Sequence, residues 1–138
     1  MKHTPFSRRS FIKTAAVGTA SLSLPTIIPA SAFGANDRVR VAVIGINGRG
    51  KDHISGFSKL ENVEVAALCD VDNVVLQERA ADFEKKNNKK VKTFQDLRKV
   101  YEDKDIDAVS IATPNHWHAL AAIWACQAGK DVYVEKPG

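Results

Sequence analysis

Cysteine is scarce in this chain, whose 138 residues include two, Cys69 and Cys126. Two cysteines make no disulfide framework, and their spacing does not indicate a metal site, so we predict neither feature. Cys69 ends an apolar run, and Cys126 lies on a predicted helix. We therefore expect both to be small buried residues packed among apolar side chains.

Acidic residues are absent before Asp37, and this absence accounts for the net charge of +4. The four basic residues Lys2, Arg8, Arg9 and Lys13 precede Asp37, so the other 16 of the 20 Lys and Arg balance the 16 Asp and Glu. A folded part without excess charge presents no basic face to a polyanion. This balance excludes nucleic acid as a partner.

A long hydrophobic run is also missing, because the apolar stretch 14–28 is interrupted by glycine, serine and proline. It is too short and too polar to be a stable membrane anchor. It follows Ser7-Arg8-Arg9-Ser10-Phe11-Ile12-Lys13, which resembles a twin-arginine export signal, and precedes Ala30-Ser31-Ala32, an A-x-A cleavage site. A disordered basic arm or a membrane-surface helix explains this order less well. We predict that residues 1–35 are a signal peptide cleaved near Ala32, recognised by the twin-arginine translocase and directing a periplasmic protein.

An apolar strand, Val39–Ile44, runs directly into a glycine-rich turn, Gly45–Gly50. Glycines let the backbone approach a pyrophosphate, and the N-terminus of the following helix attracts its negative charge. Asp70 ends the next apolar run, 25 residues after Gly45. A carboxylate about 20 residues beyond such a turn is typical of one that binds the adenosine ribose. Together they predict a dinucleotide site.

Two residues modify this fingerprint. Asn47 stands where G-x-G-x-x-G has its second glycine, and because asparagine tolerates a left-handed backbone, we expect the turn to survive. Asp70 would repel a 2′-phosphate, which favours NAD over NADP. Arg49 could offset that repulsion, so NADP stays open as an alternative.

Strands and helices alternate after residue 35, which predicts βαβ units and a parallel sheet. Asp72 is the predicted N-cap of the second helix and Gly129 the C-cap of the fourth. The predicted strands are Val39–Ile44, Val63–Cys69, Val91–Thr93, Ala108–Ala112 and Val132–Val134, and the helices are about Lys51–Leu60, Val74–Lys86, Phe94–Tyr101 and Trp117–Gln127. The fold class is therefore α/β, a Rossmann-type doubly wound sheet over residues 36–138. We expect a truncated chain, because the fifth strand ends four residues before Gly138 and such domains normally have a sixth.

Two more segments, Thr113-Pro114-Asn115-His116-Trp117-His118 and Glu135-Lys136-Pro137, follow predicted strands. With the glycine turn they resemble the N-terminal domain of the Gfo/Idh/MocA family of oxidoreductases, from about Arg38 to Gly138. The resemblance implies a Rossmann domain joined to an α+β substrate domain, which this chain lacks.

The resemblance also assigns roles. It implies that Lys136 is the catalytic lysine, whose ammonium would stabilise alkoxide character as a carbinol loses hydride; from the residues alone, a surface lysine at a strand end is the simpler interpretation. His118 is equally well explained as a helix-start residue packed on the sheet. We interpret Trp124 as a core residue and His53 as a local structural contact and not as a ligand. The implied cofactor-binding residues are Gly45, Ile46, Asn47, Gly48, Arg49, Gly50, Asp70, Thr113, Pro114, Asn115, His118 and Glu135.

The predicted function is that of the dinucleotide-binding domain of an NAD(P)-dependent oxidoreductase acting on a CH–OH group of a sugar or cyclitol. Two alternatives remain: an NAD-dependent glycosidase of the same lineage, and a non-catalytic nucleotide-binding module. The resemblance implies a homo-oligomer as the full-length protein. The family's Asp-x-x-x-His segment is absent, so we expect this chain alone to be inactive.

Overall fold

The structure is a computed structural model that describes residues 38–136. The predicted signal segment 1–35, including the cleavage site near Ala32, lies outside the described residues, as do Pro137 and Gly138. None of the helices in the described range combines the length and the apolar character needed to cross a bilayer.

Five parallel strands form one sheet in the order β3-β2-β1-β4-β5. The strands are β1 (Val39–Ile44), β2 (Val63–Cys69), β3 (Lys92–Phe94), β4 (Ala108–Ile111) and β5 (Asp131–Val134). The helices are α1 (Gly50–Phe57), α2 (Asn73–Asn87), α3 (Leu97–Glu102) and α4 (Asn115–Gln127). The predicted α/β class with a parallel sheet is confirmed.

The central strand β1 pairs with both β2 and β4. The chain therefore builds outwards from β1 through β2 to β3, then crosses back to β4 and continues to β5. This order places the topological switch point between β1 and β4. In open α/β sheets, ligands bind in the crevice outside the carboxyl ends of the strands at that point.

Alternate residues of β1 supply the two cores of the domain. Val43 packs with side chains of α1 and α2, including Leu76 and Phe83, on one face of the sheet. Ala42 and Ile44 pack with side chains of α3 and α4 on the other face. Because both faces are covered, β1 and β2 are almost continuously apolar, which is why their predicted bounds agree with the structure.

The two cysteines have different environments. Cys69 is buried, as predicted, and burial raises the pKa of its thiol to about 12. Cys126 is exposed, so the prediction that it is buried was wrong. Helix α4 is apolar around most of its circumference, and its sequence does not reveal that Ala121 and Ala125 face the core. Trp124 is half-buried and packs against that core, although one side of it lines a cleft.

Caps explain where several helices begin. The predicted cap is confirmed at Asp72, whose Oδ1 accepts from the N–H of Val74 at 2.9 Å. Asp96 caps α3 in the same way, so that helix begins at Leu97, and Phe94, predicted to be helical, belongs to β3. Apart from β1 and β2, the bounds of the other elements differ from prediction by at most three residues, and differences of three residues lie at the start of α3 and at α1, which ends at Phe57 and not at Leu60.

A glycine in the left-handed conformation lies just beyond the C-terminus of α4. Gly129 has φ +72°, its N–H donates to Cys126 O, and the N–H of Lys130 donates to Ala125 O, both at 3.0 Å. These two bonds form a Schellman motif, which needs a residue that tolerates positive φ. The predicted role of Gly129 at the helix end is confirmed, one residue beyond the cap itself.

Two glycine-to-alanine substitutions test this account of the helix end, because their expected effects on stability have opposite signs. Gly129→Ala should destabilise the chain by about 1 kcal/mol, because alanine is strained at positive φ. Gly56→Ala should stabilise it by about 0.5 kcal/mol, because Gly56 is helical and, among the described residues outside its own helix, nothing lies within 4 Å of the position that a Cβ would take. Urea unfolding midpoints measure both changes, and shifts of the same sign would contradict the assignment.

Candidate functional site

A cleft of about 960 Å³ opens at the carboxyl ends of β1, β2, β3 and β4. It lies at the switch point of the sheet, where the strand order predicts a ligand. Six residues predicted to bind cofactor line it, namely Gly45, Asn47, Gly48, Asp70, Thr113 and Pro114. The structure thus brings together segments that are up to 69 residues apart in the sequence.

Sequence reasoning missed several cleft residues. Residues 95–98, which link β3 to α3 and form its first turn, reach the cleft because β3 pairs with β2, which places the end of β3 next to Asp70. Nothing in this segment itself indicates its position, although the strand order would have. The remaining residues of the lining that were not predicted to bind cofactor are Ile44, Cys69, Val71, Asp72, Ala112, His116, Trp117 and Trp124.

The glycine turn is shaped by close backbone contacts. Gly45 has φ +83°, and a Cβ there would lie 2.7 Å from Thr113 N. A Cβ on Gly50 would overlap the carbonyl oxygen of Gly45. These two glycines allow the turn to pack against β4 and against itself. The left-handed residue is Gly45, and Asn47 does not adopt a positive φ, so the turn does not depend on the tolerance expected of asparagine.

Gly48 lies beside open space, in contrast to the closely packed Gly45 and Gly50. Among the described residues other than its chain neighbours, no heavy atom lies within 4 Å of the position that its Cβ would take, and the residue lines the cleft. Helix α1 begins two residues later, and the first N–H groups of a helix lack intrahelical partners. Open space beside a bare backbone at a helix N-terminus suits an approaching phosphate.

Asp70 connects this turn to the end of β2. Its Oδ2 accepts from the N–H of Ile46 at 2.9 Å, and its Oδ1 accepts from the N–H of Asp72 at 3.1 Å. The side chain of Ile46 is fully buried, so this residue faces the site with its backbone alone. The predicted proximity of Asp70 to the turn is confirmed, and its contact with a ribose stays a prediction.

The segment between β4 and α4 forms the wall opposite Asp70. Asn115 begins α4 and is exposed, and His118 is buried in its first turn, with Nε2 2.6 Å from Thr113 O. His118 is therefore packed at the helix start, and its contact with a cofactor stays a prediction. Thr113 Oγ1 is buried and has no hydrogen-bond partner within residues 38–136. An unpartnered hydroxyl at the edge of the cleft is compatible with a polar ligand there.

A second polar cluster lies where α1 meets β4 and β5. His53 Nε2 lies 2.8 Å from Glu135 Oε2, and His53 Nδ1 lies 2.8 Å from Ser110 Oγ. Arg49 reaches the same carboxylate, with Nε 3.6 Å from Oε2, and also pairs with Asp52. The hydrogen bond from His53, aided by the Arg49 guanidinium, holds the pKa of Glu135 below its usual range.

Sequence reasoning treated His53 as a local contact, whereas the structure joins it to residues 57 and 82 positions away. A serine, a histidine and a glutamate in line are also the composition of a hydrolytic triad. Ser110 is fully buried within β4, however, so its hydroxyl cannot attack a substrate. The cluster is a support for Glu135 and not a nucleophilic site.

Lys136 follows Glu135 and is exposed. The N–H of Glu135 donates to Ile111 O at 2.9 Å, which extends the pairing of β5 with β4 by one residue and places Lys136 just beyond it. The catalytic role of Lys136 stays a prediction. Within the described range, no group of three His, Cys, Asp or Glu side chains is arranged to hold a metal ion.

Fold and site together define a Rossmann-type domain that binds a dinucleotide. The chain belongs to the Gfo/Idh/MocA family, whose profile, described as an oxidoreductase family with an NAD-binding Rossmann fold, matches residues 39–138. The twin-arginine translocation signal profile matches residues 5–25.

Relatives named as glycosyl hydrolases and relatives named as dehydrogenases are both similar to this chain. A glycosyl hydrolase family 109 protein of Shewanella baltica (strain OS185) is 36% identical over 94% of this chain and 33% of its own length. A solved myo-inositol 2-dehydrogenase from Lactobacillus plantarum is 27% identical, with a TM-score of 0.65 over 72% of this chain and 28% of its own. The WlbA dehydrogenase from Bordetella pertussis, solved with NADH and UDP-GlcNAcA, has the same identity and TM-score, over 72% of this chain and 29% of its own. The chain spans about a third of the length of the curated relatives it matches.

The lowered pKa of Glu135 predicts a pH-dependent contribution to stability. A carboxyl whose pKa falls on folding stabilises the chain above its unfolded value, here 4.5, and loses that contribution as pH falls through the folded value. At about pH 7 the urea unfolding midpoint of wild type should therefore be higher than that of Glu135→Gln. The difference between the two midpoints should shrink below about pH 4.5. The exposed Glu61→Gln is the control. A difference that does not change with pH would contradict the ionic role of Glu135.

Proposed function

We propose that this chain is the dinucleotide-binding domain of an NAD-dependent oxidoreductase that acts on a CH–OH group of a sugar or cyclitol. The observation that carries the proposal is the bond from Ile46 N–H to Asp70, which holds a bare glycine turn against the end of β2 at the mouth of an open cleft. Membership of the family supports the redox class, and the inositol dehydrogenase and sugar-nucleotide neighbours support the substrate class.

The residues present fit a dinucleotide. Gly48 leaves room beside the turn for the pyrophosphate, and Asp70 is near enough to the turn to take the adjacent ribose. Thr113 to Asn115 and Glu135, at the ends of β4 and β5, would hold the nicotinamide half. When bound, the cofactor supplies the hydride acceptor.

The charges around the cleft favour NAD over NADP. Asp70, Asp72 and Asp96 all line it, and carboxylates repel a 2′-phosphate. Arg98 also lines the cleft, but it makes a double hydrogen bond with Asp96. Arg49, the residue that could offset the repulsion, is paired with Asp52 and lies beside Glu135.

Lys136 is the residue to which we assign a role in the chemistry. Its ammonium would stabilise the negative charge that develops on a substrate oxygen as hydride leaves the adjacent carbon. We assign no general base and no substrate pocket within residues 38–136. The chain alone should therefore bind the cofactor without turning over substrate.

The twin-arginine signal supports export, and we propose a periplasmic protein cleaved near Ala32 and recognised by the twin-arginine translocase. The translocase and a small carbohydrate or cyclitol are its proposed partners. A homo-oligomer remains the expectation for the full-length protein.

A second candidate function is a glycosidase that oxidises its sugar transiently, eliminates the glycoside and reduces the sugar again. The observation that favours it is the name of the similar Shewanella proteins, which are glycosyl hydrolases of family 109. Both functions need the same cofactor domain.

Binding of NAD to the 138-residue chain tests the site. Calorimetric titration should give tighter binding of NAD than of NADP, and Gly48→Ala should weaken NAD binding at least about tenfold, because its methyl group occupies the pyrophosphate approach. Gly56→Ala, equally unhindered but on α1 away from the turn, is the matched control and should not change it. Equal effects of the two substitutions, or no binding by wild type, would contradict the site.

The reaction class is tested on a protein of the relatives' length that carries this domain. An oxidoreductase should accumulate NADH in step with the oxidation of a free sugar or cyclitol, because hydride stays on the cofactor. A glycosidase should release the aglycone with no net NADH. Absorbance of NADH and chromatography of the products distinguish the two. If no sugar tested gives either NADH or a released aglycone, the remaining candidate is a non-catalytic nucleotide-binding module.

A further inference from the structure

The ring of His53 connects three separate elements of the fold. His53 lies in α1, directly after the glycine turn, whereas Ser110 is in β4 and Glu135 follows β5. Its side chain is 8% exposed, and both ring nitrogens have a hydrogen-bond partner. The neighbouring rings of Tyr133 and Phe57 meet it edge-on, with centroids 5.5 Å and 6.4 Å away. The ring therefore cannot turn without breaking its bonds to Ser110 and Glu135.

The hydrogen-bond network assigns the proton on this ring. An ionised carboxylate only accepts, so Nε2 carries the proton and donates to Glu135 Oε2. In the neutral ring Nδ1 is then an acceptor, and the Ser110 hydroxyl donates to it. The carboxylate of Glu135 thereby sets the direction of both bonds, and the Ser110 hydroxyl completes them as the donor to Nδ1.

Glu135 in turn lies next to Lys136. Its backbone is anchored by the bond to Ile111 O, and its carboxylate is held by His53 and approached by Arg49 from the glycine turn. The position of the Glu135 side chain is thus fixed by contacts with α1 and the residue before it, and not by contacts with its own strand.

We infer that His53 is a positioning residue that couples the dinucleotide-binding turn to Glu135, and through it to the segment that carries Lys136. The inference rests on the proposed function, because it assumes that Glu135 meets the nicotinamide half of the cofactor. The groups that face His53 are Ser110, Glu135 and the rings of Tyr133 and Phe57, with the Arg49–Asp52 pair beside the carboxylate.

The test compares two ligands that share the adenosine diphosphate part. NAD would reach Glu135, whereas ADP would occupy the turn and the Asp70 end alone. In the 138-residue chain, His53→Leu should weaken NAD binding about tenfold and change ADP binding less than about twofold. His53→Gln keeps an N–H donor in reach of Glu135, so it should restore NAD binding to within about threefold of wild type. Ser55→Ala, at an exposed position of α1, is the control and should change neither.

The outcomes separate the inference from the proposed function. If wild type binds neither ligand, the dinucleotide site itself is wrong, and the inference fails with it. If wild type binds both, and His53→Leu weakens NAD and ADP equally or weakens neither, the site stands and the coupling role is overturned. Circular dichroism reports whether each variant is folded. If His53→Leu is unfolded, His53→Gln and Ser110→Ala decide, since glutamine should preserve the preference for NAD over ADP and loss of the serine donor should reduce it.

Discussion

The hydrogen bond between Ile46 N–H and the Asp70 carboxylate is the constraint on which the site depends. It joins the loop after β1 to the loop after β2, two segments that the sheet places side by side and that this bond holds at a fixed distance. The second oxygen of Asp70 accepts from the N–H of Asp72, so the carboxylate is held from both sides. Charge-assisted bonds of this kind are stronger than neutral ones, and they leave the turn with a defined shape before any ligand arrives.

The parallel sheet supplies the rest of the geometry. All five strands end at the same edge, the segments that follow β1, β2, β3 and β4 line one crevice, and the reversal of order at β1 places Gly45 and Thr113 side by side in its wall. Close contact at Gly45 and Gly50 packs the turn against the sheet, while Gly48 is left beside open space. The glycines of this one turn therefore have two physical roles: Gly45 and Gly50 allow dense packing within the turn, and Gly48 allows access from outside it.

The site has two supports on opposite sides of the switch point. Asp70 holds the turn from β2, and the cluster of Glu135, His53 and Ser110 holds the end of β5 from α1. On the function proposed above, these two supports would hold a cofactor in one orientation, and we assign no substrate pocket to residues 38–136. Relatives named as a glycosyl hydrolase and as an inositol dehydrogenase are both similar to this domain, which agrees with the general rule that function resides in sites and not in the fold.

Local patterns in the sequence were enough to predict the bounds of β1 and β2, the cap at Asp72, the glycine turn and its partner Asp70. Each is encoded by neighbouring residues, because apolar runs, caps and turns depend on short-range backbone chemistry. The start of α3, the exposure of Cys126 and the position of residues 95–98 in the cleft were not predicted. An apolar helix does not show which face packs, and a short segment does not show which strand lies beside it. The contact of His53 with Glu135 was decided by tertiary structure alone: 82 residues separate the two, and they meet because the crossover from β3 to β4 brings β5 onto the far side of β1.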